Sequence, residues 1–298
     1  MRPTLALLVA LSSLACSKDE RPPTNSDADA TVDAPRVDAV ADTAPNDVTS
    51  NDITSNDVAN DGSVAPVDAV SDVTPSRLRV LFVGNSYTYV NDLPSVVAAI
   101  SRASRGPAIE ATTVAVGGAT LRSHWETNDA PARITTAPWE AVVLQGQSVE
   151  PALNYDEFRT YGLRFGMLAN TYRARPVFYA TWPRRAGDAV YAESWSGGTP
   201  TSFNDRLDLA YSRVAMMTSG TVAHVGNAWM ASLSAHPEIN LYADDGSHPS
   251  AAGTWLAACV IYRALTGSLP DASADDAAMG ITATEARSLR DTAAMQTP

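Results

Sequence analysis

Cysteine is almost missing from this chain of 298 residues, because only Cys16 and Cys259 occur. One pair permits at most one disulfide, which excludes a cystine-rich scaffold, so the folded part must be stable through burial of its apolar core. Cys259 falls in an apolar helical stretch and is expected to be a buried small hydrophobic residue. After the first 16 residues no apolar run of about 20 residues occurs, so no transmembrane helix is predicted.

Positive charge is also scarce, with 21 Lys and Arg against 33 Asp and Glu and a net charge of −12. Most of the acidic excess lies in residues 17–76, which carry 13 acidic and 3 basic side chains, whereas residues 77–298 are nearly neutral. Such a distribution offers no basic patch, and no nucleic-acid partner is expected. No pair among the four histidines has a metal-ligand spacing such as His-x-x-x-His, so neither a metal nor a cofactor is expected.

The first 16 residues predict an export signal, because Arg2 precedes a short apolar core that is followed by small residues. The sequence Leu14-Ala15-Cys16 resembles the processing box of bacterial lipoproteins, although Ser13 stands where a branched aliphatic residue is usual. That resemblance implies lipidation of Cys16, attachment to the cell envelope and membrane contact through the lipid alone. Ordinary signal cleavage, with Cys16 lost or free, is the alternative.

Residues 17–76 differ in composition from the rest, since they contain no aromatic residue and no Leu or Met. A segment so polar cannot bury enough apolar surface to offset its ordering entropy, so we predict a disordered acidic tether. The pentads Asn46–Ser50 and Asn51–Ser55 repeat an Asn-Asp pair, which leaves a calcium-binding repeat as an alternative. The repeat lacks the glycine turns with which calcium loops fold around an ion.

Residues 77–298 are long enough for one domain, and short apolar runs alternate in them with longer amphipathic runs. This alternation predicts a parallel sheet of about five strands between two helical layers, a three-layer α/β/α sandwich. The strands are expected at Leu78–Val83, Ile109–Val116, Ala141–Leu144, Pro176–Thr181 and Thr221–Val225. Helices are expected from Asp92 through Ile100 and over Tyr155–Arg173, Phe203–Met217 and Pro249–Thr266, and the segment 284–294 is expected as either a last helix or a loose end.

Ser86 follows the first predicted strand, and Asp245 and His248 lie three positions apart near the C-terminus. A serine, a histidine and a carboxylate are the nucleophile, base and orienting group needed for acyl transfer through a covalent ester. In folds of this class the active site lies beyond the carboxyl ends of the strands. The segments Gly117-Gly118 and Gln145–Gln147 also begin just past strand ends, which predicts that they meet Ser86 in one cleft.

Four short blocks in the expected order resemble those of the SGNH hydrolase superfamily, which includes the GDSL-type esterases. They are Gly84-Asn85-Ser86, Gly117-Gly118-Ala119-Thr120, Gln145-Gly146-Gln147-Ser148 and Asp245-Gly246-Ser247-His248. The resemblance covers residues 78 to 267 and implies a flavodoxin-like fold without a metal or cofactor. It further implies that Ser86 is the nucleophile, His248 the base and Asp245 the residue that orients it.

The same resemblance assigns an oxyanion hole to the backbone N–H groups of Ser86 and Gly118 and the side-chain amide of Gln147. Two positions depart from the usual pattern. Asn85 replaces the common aspartate, and its amide can still hydrogen-bond within the turn. Gln147 replaces asparagine and is one methylene longer, so it either supplies a donor by another path or only braces its loop.

The chain is therefore expected to be an exported ester hydrolase, monomeric, acting on a small-molecule or polysaccharide ester. Trp125, Trp182 and Trp195 fall in predicted loops and could stack on sugar rings, which favours acetyl esters of carbohydrates over long-chain lipids. A catalytically inactive carbohydrate-binding protein on the same scaffold is the alternative.

The remaining aromatic and imidazole side chains have structural interpretations. Trp229 and Trp255 are expected to pack on helices. His224 lies in an apolar strand and is expected to be a satisfied core residue. His124 follows the glycine pair closely and lies either in the cleft or on the surface.

Overall fold

The structure is a computed structural model that describes residues 77–297. The predicted signal, Cys16 and the predicted tether over residues 17–76 lie outside the described residues. The interpretations of these segments therefore stay predictions from the sequence.

Five parallel strands form one sheet in the order β2-β1-β3-β4-β5. They are β1 (Arg77–Gly84), β2 (Ala108–Ala115), β3 (Ala141–Leu144), β4 (Arg175–Ala180) and β5 (Thr221–His224). Each strand lies within one residue of its predicted bounds. The parallel sheet therefore confirms the predicted α/β class, and β1, which lies between β2 and β3, brings the Gly84-Asn85-Ser86 turn to the carboxyl edge of the sheet.

Helices connect the strands across both faces of the sheet. They are α1 (Ser86–Tyr89), α2 (Leu93–Ala103), α3 (Leu121–Thr127), α4 (Asp129–Thr136), α5 (Glu150–Leu153), α6 (Tyr155–Thr171), α7 (Pro200–Met217), α8 (Val225–Ala235), α9 (Ala251–Thr266) and α10 (Ala283–Ala294). Short 3-10 segments lie at Val90–Asp92, Ala189–Ala192, Ser194–Ser196 and Ala272–Ala277. Among these helices none is long and apolar enough to cross a lipid bilayer.

Helix α9 begins two residues later than the sequence predicts. Pro249 instead pairs with Tyr242 in an antiparallel bridge. Ser250 then caps the helix, because its Oγ accepts a hydrogen bond from the Gly253 N–H at 3.2 Å. The helix ends as predicted at Gly267, whose φ of +73° suits glycine.

The core consists of two apolar layers, one on each face of the sheet. Along β1, Val80 and Phe82 face the layer that contains α2, α8, α9 and α10, whereas Leu81 and Val83 face the layer of α3, α4, α6 and α7. This alternation follows from the two-residue period of a strand. Both layers are fully buried, so the sheet is a rigid support for the loops at its edge.

The segment between β2 and β3 is helical where the sequence analysis placed a loop. Thr120 starts α3 with a capping box, in which its Oγ1 accepts from the Ser123 N–H and Ser123 Oγ accepts from the Thr120 N–H. Trp125 therefore lies on a helix and packs edge-on against Phe165, with the ring centroids 5.2 Å apart. The prediction of a loop at Trp125 is wrong.

Candidate active site

The turn after β1 places Ser86 at the first position of α1. Gly84 permits this turn by close approach, since a Cβ there would lie 2.4 Å from Thr88 Oγ1 and 2.5 Å from Gln145 Oε1. Asn85 caps the helix, because its Oδ1 accepts from the Tyr87 N–H at 3.1 Å. The side chain of Ser86 is thus presented beyond the carboxyl end of β1, which lies between β2 and β3.

The buried Asn85 side chain also explains why an amide stands at this position. Its Nδ2 donates to the carbonyl oxygens of Ala119 at 3.1 Å and Gly146 at 3.4 Å, which ties together the loops after β2 and β3. An ionised carboxylate has no hydrogen to donate and would face both carbonyls. Asparagine is therefore the residue that satisfies these two acceptors.

The loop between α8 and α9 holds the imidazole of His248. Asp245 Oδ1 accepts from the N–H groups of Ser247 and His248, both at 2.9 Å. His248 Nδ1–H donates to Asp245 Oδ2 at 2.5 Å. Burial opposes ionisation of Asp245, but these hydrogen bonds outweigh it and lower the pKa of the carboxyl to about 2. Asp245 is consequently a fixed anion at neutral pH.

Ser86 and His248 meet although 162 positions separate them in the chain, with Ser86 Oγ 2.8 Å from His248 Nε2. Because Nδ1 carries the hydrogen that Asp245 accepts, Nε2 of the neutral imidazole accepts the hydroxyl hydrogen of Ser86. The three side chains that the sequence singled out form one hydrogen-bonded chain from hydroxyl to carboxylate. This arrangement can deprotonate a hydroxyl nucleophile.

Three stacked aromatic rings support the loop that carries His248, here called the histidine loop. Tyr87 and Trp182 stack with centroids 4.5 Å apart, and Trp182 and Trp229 stack at 4.1 Å. Trp182 Nε1–H donates to the Ser247 carbonyl at 3.0 Å, and the Tyr87 hydroxyl lies 2.8 Å from Ser247 Oγ. Trp182 is 1% exposed. The prediction that it stacks on a sugar ring is therefore wrong, because both of its faces are already covered.

The two backbone N–H groups proposed to bind the oxyanion belong to Ser86 and Gly118, which line the same cavity. Gly118 has a φ of +69°, a conformation that favours glycine. Within residues 77–297 the N–H groups of Ser86 and Gly118 donate to no protein acceptor. Both residues line the same cavity as His248, so both donors are available to a ligand there.

Gln147 lines that cavity too, and its carbonyl end is engaged. Gln147 Oε1 accepts from the N–H groups of Val149 at 2.8 Å and Glu150 at 3.2 Å, which braces the start of α5. These contacts fix the amide plane, and Nε2 has no protein partner in the described part of the chain. The residue therefore braces its loop and still has a donor to offer.

Glu150 is a further titratable residue here, which the sequence analysis did not identify. It is 5% exposed, and its Oε2 accepts from the Gln147 N–H at 3.2 Å. Burial, helped by the nearby Glu157, raises the pKa of Glu150 to about 7. The carboxyl thus titrates near neutral pH directly behind Gln147.

The cavity at Ser86 has a volume of about 340 Å³. The described residues that line it have polar side chains, apart from Gly118, and they include one aromatic residue, Tyr87. None of them has an aliphatic side chain. The lining residues are Asn85, Ser86, Tyr87, Gly118, Gln147, Ser148, Arg184, Asp245, Ser247 and His248. A second cavity of about 360 Å³ beside α9 is mainly apolar, and the one hydroxyl among its described lining residues, that of Thr254, accepts a hydrogen bond from Asn91 Nδ2 at 2.9 Å. Among residues 77–297 no cluster of His, Cys, Asp and Glu could hold a metal ion.

The other histidines lie away from the cavity. His124 is buried, and its Nε2–H donates to the Gly84 carbonyl at 2.6 Å, so it supports the end of β1 and lies neither in the cleft nor on the surface. Burial lowers the pKa of His124, which keeps the ring neutral. His224 ends β5 and is only half-buried; its Nδ1–H donates to Asp208 Oδ1 at 2.6 Å. It is satisfied as predicted, but by a carboxylate at the edge of the core.

The tryptophans predicted to pack on helices do so, and Trp195 stays in a loop as predicted. Trp229 and Trp255 are buried against helices, which confirms their structural interpretation. Trp195 is half-buried in a 3-10 turn and packs edge-on against Phe203 at 5.7 Å. It is the one tryptophan of the three candidates that the structure leaves partly accessible in a loop.

No protein-family model matches this sequence, and no curated protein matches it. Among solved structures, the chain is similar to a protein from Slackia heliotrinireducens assigned to the SGNH hydrolases. The identity is 30% and the TM-score 0.56, over 64% of this chain and 100% of that one. It is also similar to a DUF4886 family protein from Bacteroides uniformis, at 15% identity and a TM-score of 0.61, over 73% of this chain and 93% of the other. An acetylxylan esterase from Geobacillus stearothermophilus matches at 16% identity and a TM-score of 0.50, over 64% and 95% of the two chains. The first likeness extends to sequence, and the other two concern the fold alone.

Proposed function

The chain belongs to the SGNH hydrolases and is an esterase-type serine hydrolase, and from this premise we propose that Ser86, His248 and Asp245 are its catalytic triad. The observation that carries the proposal is the continuous chain of hydrogen bonds, 2.8 Å from Ser86 to His248 and 2.5 Å from His248 to Asp245. The open N–H groups of Ser86 and Gly118 and the Nε2 of Gln147 support an oxyanion hole on the same cavity.

In this mechanism His248 takes the hydroxyl proton as Ser86 Oγ attacks the ester carbonyl carbon. The carbonyl oxygen becomes an oxyanion held by the three donors, and Asp245 stabilises the imidazolium. His248 then gives its proton to the leaving alcohol oxygen as the ester bond breaks, which leaves an acyl group on Ser86. Hydrolysis of the acyl-enzyme follows the same steps with water as the nucleophile. Water loses a proton to His248 and attacks the acyl carbon, and Ser86 recovers that proton as the carboxylic acid leaves.

The substrate side of the proposal is an O-acetyl ester of a small carbohydrate or polysaccharide. The cavity of about 340 Å³ has no aliphatic lining, so it offers little apolar surface to a long acyl chain. The similar fold of an acetylxylan esterase is consistent with a short acyl group. The two departures at Asn85 and Gln147 leave the triad geometry in place, so neither favours an inactive binding protein.

The cellular side of the proposal rests on the sequence alone. We propose that the protein is exported and held at the cell envelope by lipid on Cys16, with residues 17–76 as a spacer. The membrane would be contacted through that lipid only, and the protein would act as a monomer without nucleic acid or cofactor.

Replacing the nucleophile tests the mechanism. Ser86→Ala should lower kcat for nitrophenyl acetate by at least about 10³-fold, because among residues 77–297 the Ser86 hydroxyl is the one hydrogen-bonded to His248 Nε2. It should also abolish covalent labelling by a fluorophosphonate probe. Ser95→Ala is the matched control, since Ser95 is exposed on α2. Equal turnover by Ser86→Ala and Ser95→Ala would remove Ser86 from the mechanism.

A further inference from the structure

Among residues 77–297, Arg184 is the one Arg or Lys side chain that lines the cavity at Ser86. It lies in the loop after β4, and two of its N–H groups are used by the protein. Nη1 donates to the Tyr87 hydroxyl at 3.1 Å and Nη2 donates to Ser148 Oγ at 2.9 Å. A guanidinium has five N–H donors, so three of them have no partner among residues 77–297.

The loop that carries Arg184 is held firmly in place. The Tyr191 hydroxyl donates to the Arg184 carbonyl, and the Tyr242 hydroxyl donates to the Pro183 carbonyl at 3.0 Å. The two side-chain partners of the guanidinium are themselves buried, with Tyr87 2% and Ser148 6% exposed. The guanidinium is therefore pre-positioned beside the reacting groups and loses little freedom when a ligand binds.

The charge of Arg184 is not neutralised by the protein. Within the described residues no carboxylate forms an ion pair with it. The other charged residue on the cavity is Asp245, whose two oxygens accept hydrogen bonds from Ser247 and His248. A partly buried cation with free donors is satisfied best by an anion that arrives with the ligand.

We propose that Arg184 binds a carboxylate of the substrate, and that the natural substrate is an acetyl ester of an acidic saccharide, such as a uronate. This inference rests on the proposed esterase function, because it names the substrate class of the same site. A charge-assisted hydrogen bond to a fixed guanidinium accounts for an effect of about 10- to 100-fold on binding. Arg184 is thus a specificity residue, and the triad works on neutral esters without it.

The test compares neutral and anionic esters in matched pairs. Nitrophenyl acetate and carboxynitrophenyl acetate place the carboxylate on the alcohol side, whereas nitrophenyl butyrate and nitrophenyl hemisuccinate place it on the acyl side. Arg184→Gln should lower the ratio of kcat/KM for carboxynitrophenyl acetate to kcat/KM for nitrophenyl acetate by about 10- to 100-fold. The ratio for nitrophenyl hemisuccinate to nitrophenyl butyrate should stay within about threefold, because an acetyl ester of a uronate carries its carboxylate on the alcohol half. A loss confined to the hemisuccinate pair would overturn the proposed substrate class.

Two further variants separate charge from packing. Arg184→Lys keeps the charge but not the planar fork and should lose less than Arg184→Gln on the anionic ester. Arg213→Gln removes the same charge from an exposed position on α7 and should leave every substrate unchanged. In the wild type, raising the salt concentration should lower kcat/KM for the anionic ester only, because salt screens the attraction to Arg184. This measurement needs no variant.

Binding to Ser86→Ala makes the inference independent of turnover. Calorimetry should detect tighter binding of oligogalacturonate than of its neutral methyl-esterified form, by about 10- to 100-fold. Equal binding of the two, or equal effects of Arg184→Gln on neutral and anionic esters, overturns the inference. If the wild type hydrolyses no ester at all, the proposed function fails, and the calorimetric comparison still decides the role of Arg184.

Discussion

At the scale of single residues, the active-site edge departs from the usual family pattern where hydrogen-bond partners require it. Asn85 donates to two carbonyls that an ionised aspartate could not satisfy. Gln147 lines the cavity and uses its side-chain carbonyl on its own loop, and its amide hydrogens have no protein partner among residues 77–297. Each substitution is therefore accounted for by a contact of the amide group.

Glu150 gives a pH-dependent prediction at this scale. Its ordinary pKa of 4.5 rises to about 7 in the folded protein, so the folded state keeps a proton that the unfolded state releases between these values. The free energy of unfolding should therefore fall as pH rises through that window, by up to about 3 kcal/mol. Glu150→Gln removes this dependence.

Urea unfolding at about pH 4 and about pH 8 checks the expectation. Relative to wild type, Glu150→Gln should have similar stability at the lower pH and greater stability at the higher one. A stability difference that is the same at both pH values would contradict the raised pKa.

At the scale of elements, the site is assembled from loops that brace one another at one edge of the sheet. The turn at Gln147 starts α5, the turn at Asn85 starts α1, and the Trp182 loop supports the histidine loop through the Ser247 carbonyl. Because parallel strands end at the same edge, these loops meet there whatever their separation in sequence.

Gln147 allows the bracing role to be separated from the donor role. Gln147→Glu keeps the acceptors for the N–H groups of Val149 and Glu150 but loses the amide hydrogens. We expect kcat to fall by about 10²- to 10³-fold with little change in melting temperature. Gln147→Leu should lower both activity and melting temperature. Full activity of Gln147→Glu would leave bracing as the only role of Gln147.

At the scale of the whole molecule, the described residues contain the five-stranded sheet and every residue proposed for the catalytic site. A chain shortened to residues 77–298 should therefore fold and keep kcat/KM for nitrophenyl acetate within about twofold of the full chain. Its melting temperature should not change with a thiol reductant, because Cys259 is a buried free cysteine. Failure of the shortened chain to fold would show that the preceding residues belong to the domain.

The strands were predictable because each is a short run of apolar or β-branched residues, and β3 was placed without error. The short helices α3, α4 and α5 were missed, since segments of four to eight residues give too few turns for a clear period. Trp182 was misjudged because its loop position suggested exposure, whereas the ring is sandwiched between Tyr87 and Trp229.

Sequence by itself determined the alternating α/β order and named Ser86, Asp245 and His248, because local patterns and short motifs report the chemistry of each segment. Only the tertiary structure decided that Arg184 lines the cavity at Ser86 and that the buried Glu150 accepts a hydrogen bond from the Gln147 N–H. Both lie in segments that follow strand ends, yet an arginine or a glutamate is an ordinary surface residue until its neighbours are known. Burial and unpaired charge arise from contacts between distant segments, and no local pattern records them.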